Sequence, residues 1–157
     1  MSALGPVKNL TSHCAATPEG RAVSAKTIGE WDIAKFGQIS YHWVVELDGA
    51  MVRTLADETK GAHVGKNNTG NIGICYVGGC DKAMNAKDTR TAAQKKSLLT
   101  LVRTYRARYP GIIIRGHRDW SPDLDGDGKI EPNEWKKSCP SFDVMAWLKQ
   151  ENEHGKV

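Results

Sequence analysis

Residues 71–77 read Asn-Ile-Gly-Ile-Cys-Tyr-Val and run into Gly78-Gly79. A segment with apolar side chains on both alternating faces has no side left for water, so it predicts a central, fully buried strand. A strand of that kind commits the chain to a sheet with helices packed over its faces. Two strong helical patterns supply them. Ser24 is a good N-cap for a helix running to about Phe36 and ending at Gly37, with Ile28, Trp31 and Ala34 or Lys35 as its stripe. Thr91 to Tyr109 repeats Leu98, Leu101, Val102, Tyr105 and Tyr109 at three- and four-residue spacing, and Pro110-Gly111 stops it. Ser141 to about Gln150 predicts a third helix, with Phe142, Met145 and Trp147 or Leu148 on its buried side.

The remaining strands are shorter. Val7 to Ser12 predicts a first strand, and Thr17-Pro18 a turn after it. Tyr41 to Leu47, Asp48-Gly49 and Met51 to Leu55 form the strand–turn–strand pattern of a hairpin. Ile112 to Ile114 predicts one more strand. The expected architecture is α/β: residues 1–157 as a single domain, with a central mixed sheet of about five strands and about three helices. At 39% hydrophobic residues the chain has enough apolar material for one such core. A net charge of +4 is too small to argue for a nucleic-acid partner, and no apolar run is long enough to span a membrane. The opening MSALGPVKNL has no basic segment followed by an apolar one, so no secretory signal is expected. Cys14, Cys75, Cys80 and Cys139 then read as reduced thiols. Cys14 and Cys75 are expected in the core, and Cys80, after the glycine pair, at an exposed position. Residues 152–157, including His154, read as a frayed tail.

Chemistry-bearing side chains collect at strand ends. His13 follows the first strand, His117 follows Ile112 to Arg115, and Cys139 precedes the last helix. Two histidines and a cysteine are a known catalytic zinc set that leaves a fourth position for water, although nothing in their spacing announces one. Tyr41 and His42 alternate, so only one of them faces any cleft.

Four segments in order, HCAATPEGR (13–21), SYHWVVELDG (40–49), GAHVGKNNTGNIGICYVGG (61–79) and IRGHRDWSP with KSCPSFDV (114–144), resemble the zinc-dependent N-acetylmuramoyl-L-alanine amidases of the phage lysozyme and peptidoglycan recognition protein type. The resemblance runs from about His13 to Leu148. It implies His13, His117 and Cys139 as zinc ligands, Tyr41 and Lys137 as catalytic residues, and His63, Asn67 and Asn68 as substrate-binding residues. Lys136 competes with Lys137, and distance from Cys139 favours the latter. The resemblance also implies cleavage between N-acetylmuramic acid and L-alanine in bacterial peptidoglycan by a monomeric phage endolysin. Without a signal such a protein accumulates in the host cytoplasm and reaches the wall once the membrane is disrupted. A non-catalytic peptidoglycan-binding module is the alternative. Non-catalytic members generally lack the ligand cysteine, and Cys139 argues against it.

Residues 123–134, DLDGDGKIEPNE, match the calcium-loop template D-x-[DN]-x-[DN]-G-x5-E at every defined position. Asp123, Asp125, Asp127, the Lys129 carbonyl, Glu131 and Glu134 would be the Ca²⁺ ligands, and Gly128 the turn glycine. This EF-hand-like insertion lies between His117 and Cys139, where Ca²⁺ would order the segment carrying Lys137 and Cys139.

Overall fold

The computed structural model describes residues 2–152; the expected tail beyond Asn152, with His154, lies outside the described residues. In chain order the elements are β1 (Asn9–Cys14), β2 (Thr17–Pro18), α1 (Ala25–Phe36), β3 (Trp43–Val45), β4 (Met51–Arg53), β5 (Asn71–Tyr76), β6 (Gly79–Cys80), α2 (Ala92–Arg108), β7 (Ile113–Gly116) and α3 (Val144–Gln150). Five strands form a sheet in the order β4-β3-β5-β1-β7. Only the β3–β4 pair is antiparallel, so the sheet is mixed, as expected.

Period-two alternation on β5 divides the core. Ile72, Ile74 and Tyr76 join Leu10, Leu98, Leu101, Tyr105, Trp147 and Leu148 on the face covered by α2 and α3. Cys75 and Val77 join Ile28 and Val44 on the α1 face. β1 sits between β5 and β7, with Thr11 opposite Gly73 and His13 opposite Cys75. Because β1, β5 and β7 are parallel, their carboxyl ends share one rim, where an open α/β sheet offers its crevices.

The two longer helices begin and end where their capping residues put them. Ser24 Oγ accepts the Thr27 N–H at 3.1 Å, and Gly37 takes a left-handed φ of 79° to close α1. Thr91 and Gln94 form a reciprocal capping box on α2. Gly49 closes the hairpin at φ 90°, and a Cβ there would also lie 2.8 Å from the Ala93 Cβ.

Several expectations are corrected. β1 lies two residues later than Val7–Ser12, because parallel pairing with β5 continues to Cys14, so His13 lies within the strand. Thr17-Pro18 is no simple turn; it pairs in parallel with β6 and buries Cys80, which is only 8% exposed. Trp31 is 43% exposed, because α1 packs through Ala25, Ile28, Gly29 and Asp32. Gly29 admits Ile39, whose Cδ1 would stand 2.8 Å from an added Cβ. The third helix starts at Val144, capped by Asp143, since Ser141 has φ 69° and its hydroxyl donates to the Gly79 carbonyl. Met145 faces outward, while Val144, Trp147 and Leu148 are buried.

Candidate metal centre and cleft

At the shared rim, strand alternation sets His13 on the same face as Thr11, and the chain turns from β7 into a 3-10 turn at His117. Cys139 arrives from the segment before α3. Ligand atoms of His13, His117 and Cys139 all lie within 4.8 Å of one another. The His13 and His117 ring centroids are 4.7 Å apart, and Cys139 Sγ is 3.8 Å from His13 Nδ1. Tetrahedral zinc places N and S donors about 3.6 Å apart, close to the His13–Cys139 separation, so the chemistry and clustering of this donor set fit the ion.

The electrostatics agree with metal ligation. Burial, then the charges of His63, His117 and Lys137, hold His13 well below its ordinary pKa. Burial and Lys137 lower His117 to about 4. Both imidazoles are therefore neutral at pH 7 and present lone pairs. Cys139 is held up by its hydrogen bond with Cys14 and by burial, while that hydrogen bond draws Cys14 down to about 7. A dication held between the histidines would favour the Cys139 thiolate by its charge, and the Cys14 backbone N–H, which donates to Cys139 Sγ at 3.2 Å, would add to that.

The Tyr41 ring lies 5.1 Å from that of His13, and burial keeps its phenol protonated. His42 points the other way and is fully buried; its Nε2–H donates to the Thr59 carbonyl at 2.7 Å and its Nδ1 accepts from Gly73 N–H at 3.0 Å. A cleft of about 450 Å³ opens beside His117. Val64, Lys66, Asn67, Trp120, Lys136 and Lys137 line it. Lys137 lines this cleft together with His117, and its charge contributes to the lowering of both His13 and His117.

Of the three expected substrate-binding residues, only Asn67 stands on the cleft wall. Asn68 braces the loop, its Oδ1 accepting from His63 N–H at 2.9 Å and Val64 N–H at 2.8 Å. His63 is 6% exposed and lies behind His13, with ring centroids 4.9 Å apart. The sequence reading also missed Asn71, Thr11 and the hydrogen bond from Trp120 Nε1 to Thr11 Oγ1 at 2.9 Å, which ties the cleft wall to β1. The repeated spacing of a strand identifies the face, not the partner, so no signal singled them out.

The acidic loop closes on itself beside the cleft. Asp123 accepts the N–H groups of Gly126 and Gly128 at 2.9 and 2.7 Å, and Asp127 accepts Lys129 N–H at 2.8 Å. The buried Glu134 carboxylate accepts from Leu124, Asp125 and Glu131. Carboxylate oxygens of Asp123, Asp125 and Glu134, and of Asp125, Asp127 and Glu131, come within 4.8 Å. Crowding shows in Glu131, pushed up to about 7 by its hydrogen bond with Asp127, by desolvation and by Glu134.

The model of the N-acetylmuramoyl-L-alanine amidase family matches residues 3–141. The endolysin of Enterobacteria phage T3 is 31% identical over 136 residues, covering 86% of this chain and 81% of that protein. Among solved structures, the endolysin N-acetylmuramoyl-L-alanine amidase LysCS from Clostridium intestinale URNW superposes with a TM-score of 0.72 at 17% identity, covering 97% of this chain and 89% of that one. Bumblebee PGRP-SA superposes at 0.73 with 16% identity, covering 98% and 87%.

Proposed function

The chain belongs to the N-acetylmuramoyl-L-alanine amidase family, and on that premise we propose that it is a zinc-dependent hydrolase of the bond between N-acetylmuramic acid and L-alanine, lysing cell walls as an endolysin. The observation that carries the reading is the convergence of His13, His117 and Cys139 on one point at the sheet rim. Bound there, zinc would supply a Lewis acid for the scissile carbonyl and an acidified water. The chain's own groups do the rest. His13 and His117 stay neutral and so keep lone pairs free for the ion. The Lys137 ammonium, on the cleft wall beside His117, faces the negative charge that grows on the carbonyl oxygen. Tyr41 keeps its proton and orients the attacking water by hydrogen bonding. Asn67 and Trp120, both lining the cleft, contact the glycan and its stem peptide. Residues 1–157 act as one catalytic domain, working as a monomer on peptidoglycan.

The test is mass spectrometry of purified peptidoglycan after incubation with the zinc-loaded protein. Stem peptides with a new alanine amino terminus and no new reducing sugar ends are expected, and Cys139→Ala should release none. Binding without cleavage would instead identify a recognition module.

The loop at 123–134 is proposed to take Ca²⁺ through Asp123, Asp125, Asp127, the Lys129 carbonyl, Glu131 and Glu134. The support is the template match together with the clustering of its carboxylates. Isothermal titration with Ca²⁺ should show one site that disappears in the Asp125→Asn, Glu134→Gln double variant; no heat from the wild type rejects it.

A further inference from the structure

We propose that His63 is a positioning residue for His13, fixing the tautomer that aims the His13 Nδ1 lone pair at the metal centre. The inference rests on the reading of His13 as a zinc ligand.

The argument starts from an atom that can only accept. His63 Nε2 lies 2.9 Å from the Asn71 carbonyl oxygen, so Nε2 carries the proton and donates. In the neutral ring His63 Nδ1 is then bare and accepts. The atom facing it, 2.9 Å away, is His13 Nε2, which must donate. A neutral His13 protonated at Nε2 has a bare Nδ1, and Nδ1 is the nitrogen 3.8 Å from Cys139 Sγ. One backbone carbonyl thus dictates, through two rings, which nitrogen of His13 is free.

The start of the relay is itself immobilised. Asn71 lies in β5, its Oδ1 accepts from the Thr11 hydroxyl at 2.8 Å, and its Nδ2 donates to the Asn67 carbonyl at 2.8 Å. The space for the imidazole is also made to order. A Cβ on Gly73 would stand 2.7–2.9 Å from three atoms of the His63 ring, so the glycine clears its seat. With both ring nitrogens engaged and 6% of its surface exposed, the His63 imidazole has no polar atom left for a substrate. Partners of this kind orient ligand rings and raise metal affinity.

The first test uses the metal-free wild-type chain. ¹⁵N imidazole spectra should show His13 protonated at Nε2 and bare at Nδ1; a proton on Nδ1 overturns the proposal. The second compares zinc affinities by competition with a chromophoric chelator. His63→Leu leaves the His13 donor unpaired and should bind zinc about 10–100-fold more weakly. His63→Gln, whose amide can accept from His13 and donate to the Asn71 carbonyl, should stay close to wild type. Wild-type affinity in His63→Leu, or equal loss in both variants, overturns the proposal. If the leucine variant does not fold, the wild-type spectrum and the glutamine variant decide. Failure of the wild type itself to take up zinc would overturn the metal reading, a result distinct from any difference among variants.

Discussion

Replacing Lys137 by methionine keeps most of the stem and removes the charge. If the ammonium faces the developing oxyanion, kcat should fall by about 10²–10³, the cost of losing one such donor. Zinc should still bind, because Lys137 is not among the clustered ligand atoms. The same substitution makes a second readout in the metal-free protein. Burial and then Lys137 depress His117 to about 4. Removing a positive neighbour favours the imidazolium, so an NMR titration of Lys137→Met should show a higher His117 pKa than the wild type. An unchanged value would place the charge elsewhere. At this scale residue type and strand-end position made His13, His117 and Cys139 legible as a possible set, and the motif resemblance added Tyr41 and Lys137. His63 was visible as a motif member but not by role. Its function depends on which atom lies behind His13, and that is decided by β5 passing beside β1.

At the scale of elements, side-chain caps and charge hubs join pieces distant in sequence. Thr91 Oγ1 accepts the Gln94 N–H at 3.0 Å and donates to the Leu47 carbonyl at 3.2 Å, so it starts α2 and ties it to the hairpin. Thr91→Ala should cost about 1 kcal/mol in urea unfolding, the usual worth of a cap, with the slope unchanged. Asp57 is a larger junction. It accepts from the Tyr105 hydroxyl at 2.5 Å, Arg53 at 2.7 Å and Arg108 at 2.9 Å, joining the segment after β4 to α2. Burial raises its pKa, but the Tyr105 and Arg53 hydrogen bonds more than offset that and leave it low. Asp57→Ala should cost about 2 kcal/mol, less than a fully buried pair, because both guanidiniums are partly exposed and can be hydrated. The caps of α1 and α2 were legible because they act within one turn of chain. β2 and β6 were not: each has two residues, too few for any periodicity, and they exist only because each lines up beside the other. α3 was expected three residues early, at Ser141, whose hydroxyl instead donates to the Gly79 carbonyl while Asp143 caps the helix.

For the whole molecule, the fold class followed from one doubly buried strand, but the order β4-β3-β5-β1-β7 did not, since a strand's own pattern does not name its neighbours. The molecule carries buried histidines and an acidic loop whose titrations pull stability in different directions. His13, His42, His63 and His117 are all lowered, mainly by burial. For such groups stability is full above the unfolded value of about 6.5 and is lost as pH falls toward the folded values, because the unfolded chain binds more protons. Each histidine still neutral adds a slope of up to about 1.4 kcal/mol per pH unit. The metal-free protein should therefore lose urea resistance steeply below pH 6.5. In the acidic loop Glu131 runs the other way, while its neighbours Asp127 and Glu134 are lowered. Glu131 is raised to about 7, chiefly by Asp127, so its contribution is full below the usual carboxylate value and is lost as pH rises through about 7. Protons there do part of what a cation would do. If the loop binds Ca²⁺, the ion must displace those protons, and its stabilising effect should grow with pH. Thermal unfolding with and without Ca²⁺ should give a larger Tm increase at pH 8 than at pH 5. The Asp125→Asn, Glu134→Gln double variant should show no increase at either pH. An equal shift at both pH values in the wild type would mean that the ion acts somewhere other than this loop.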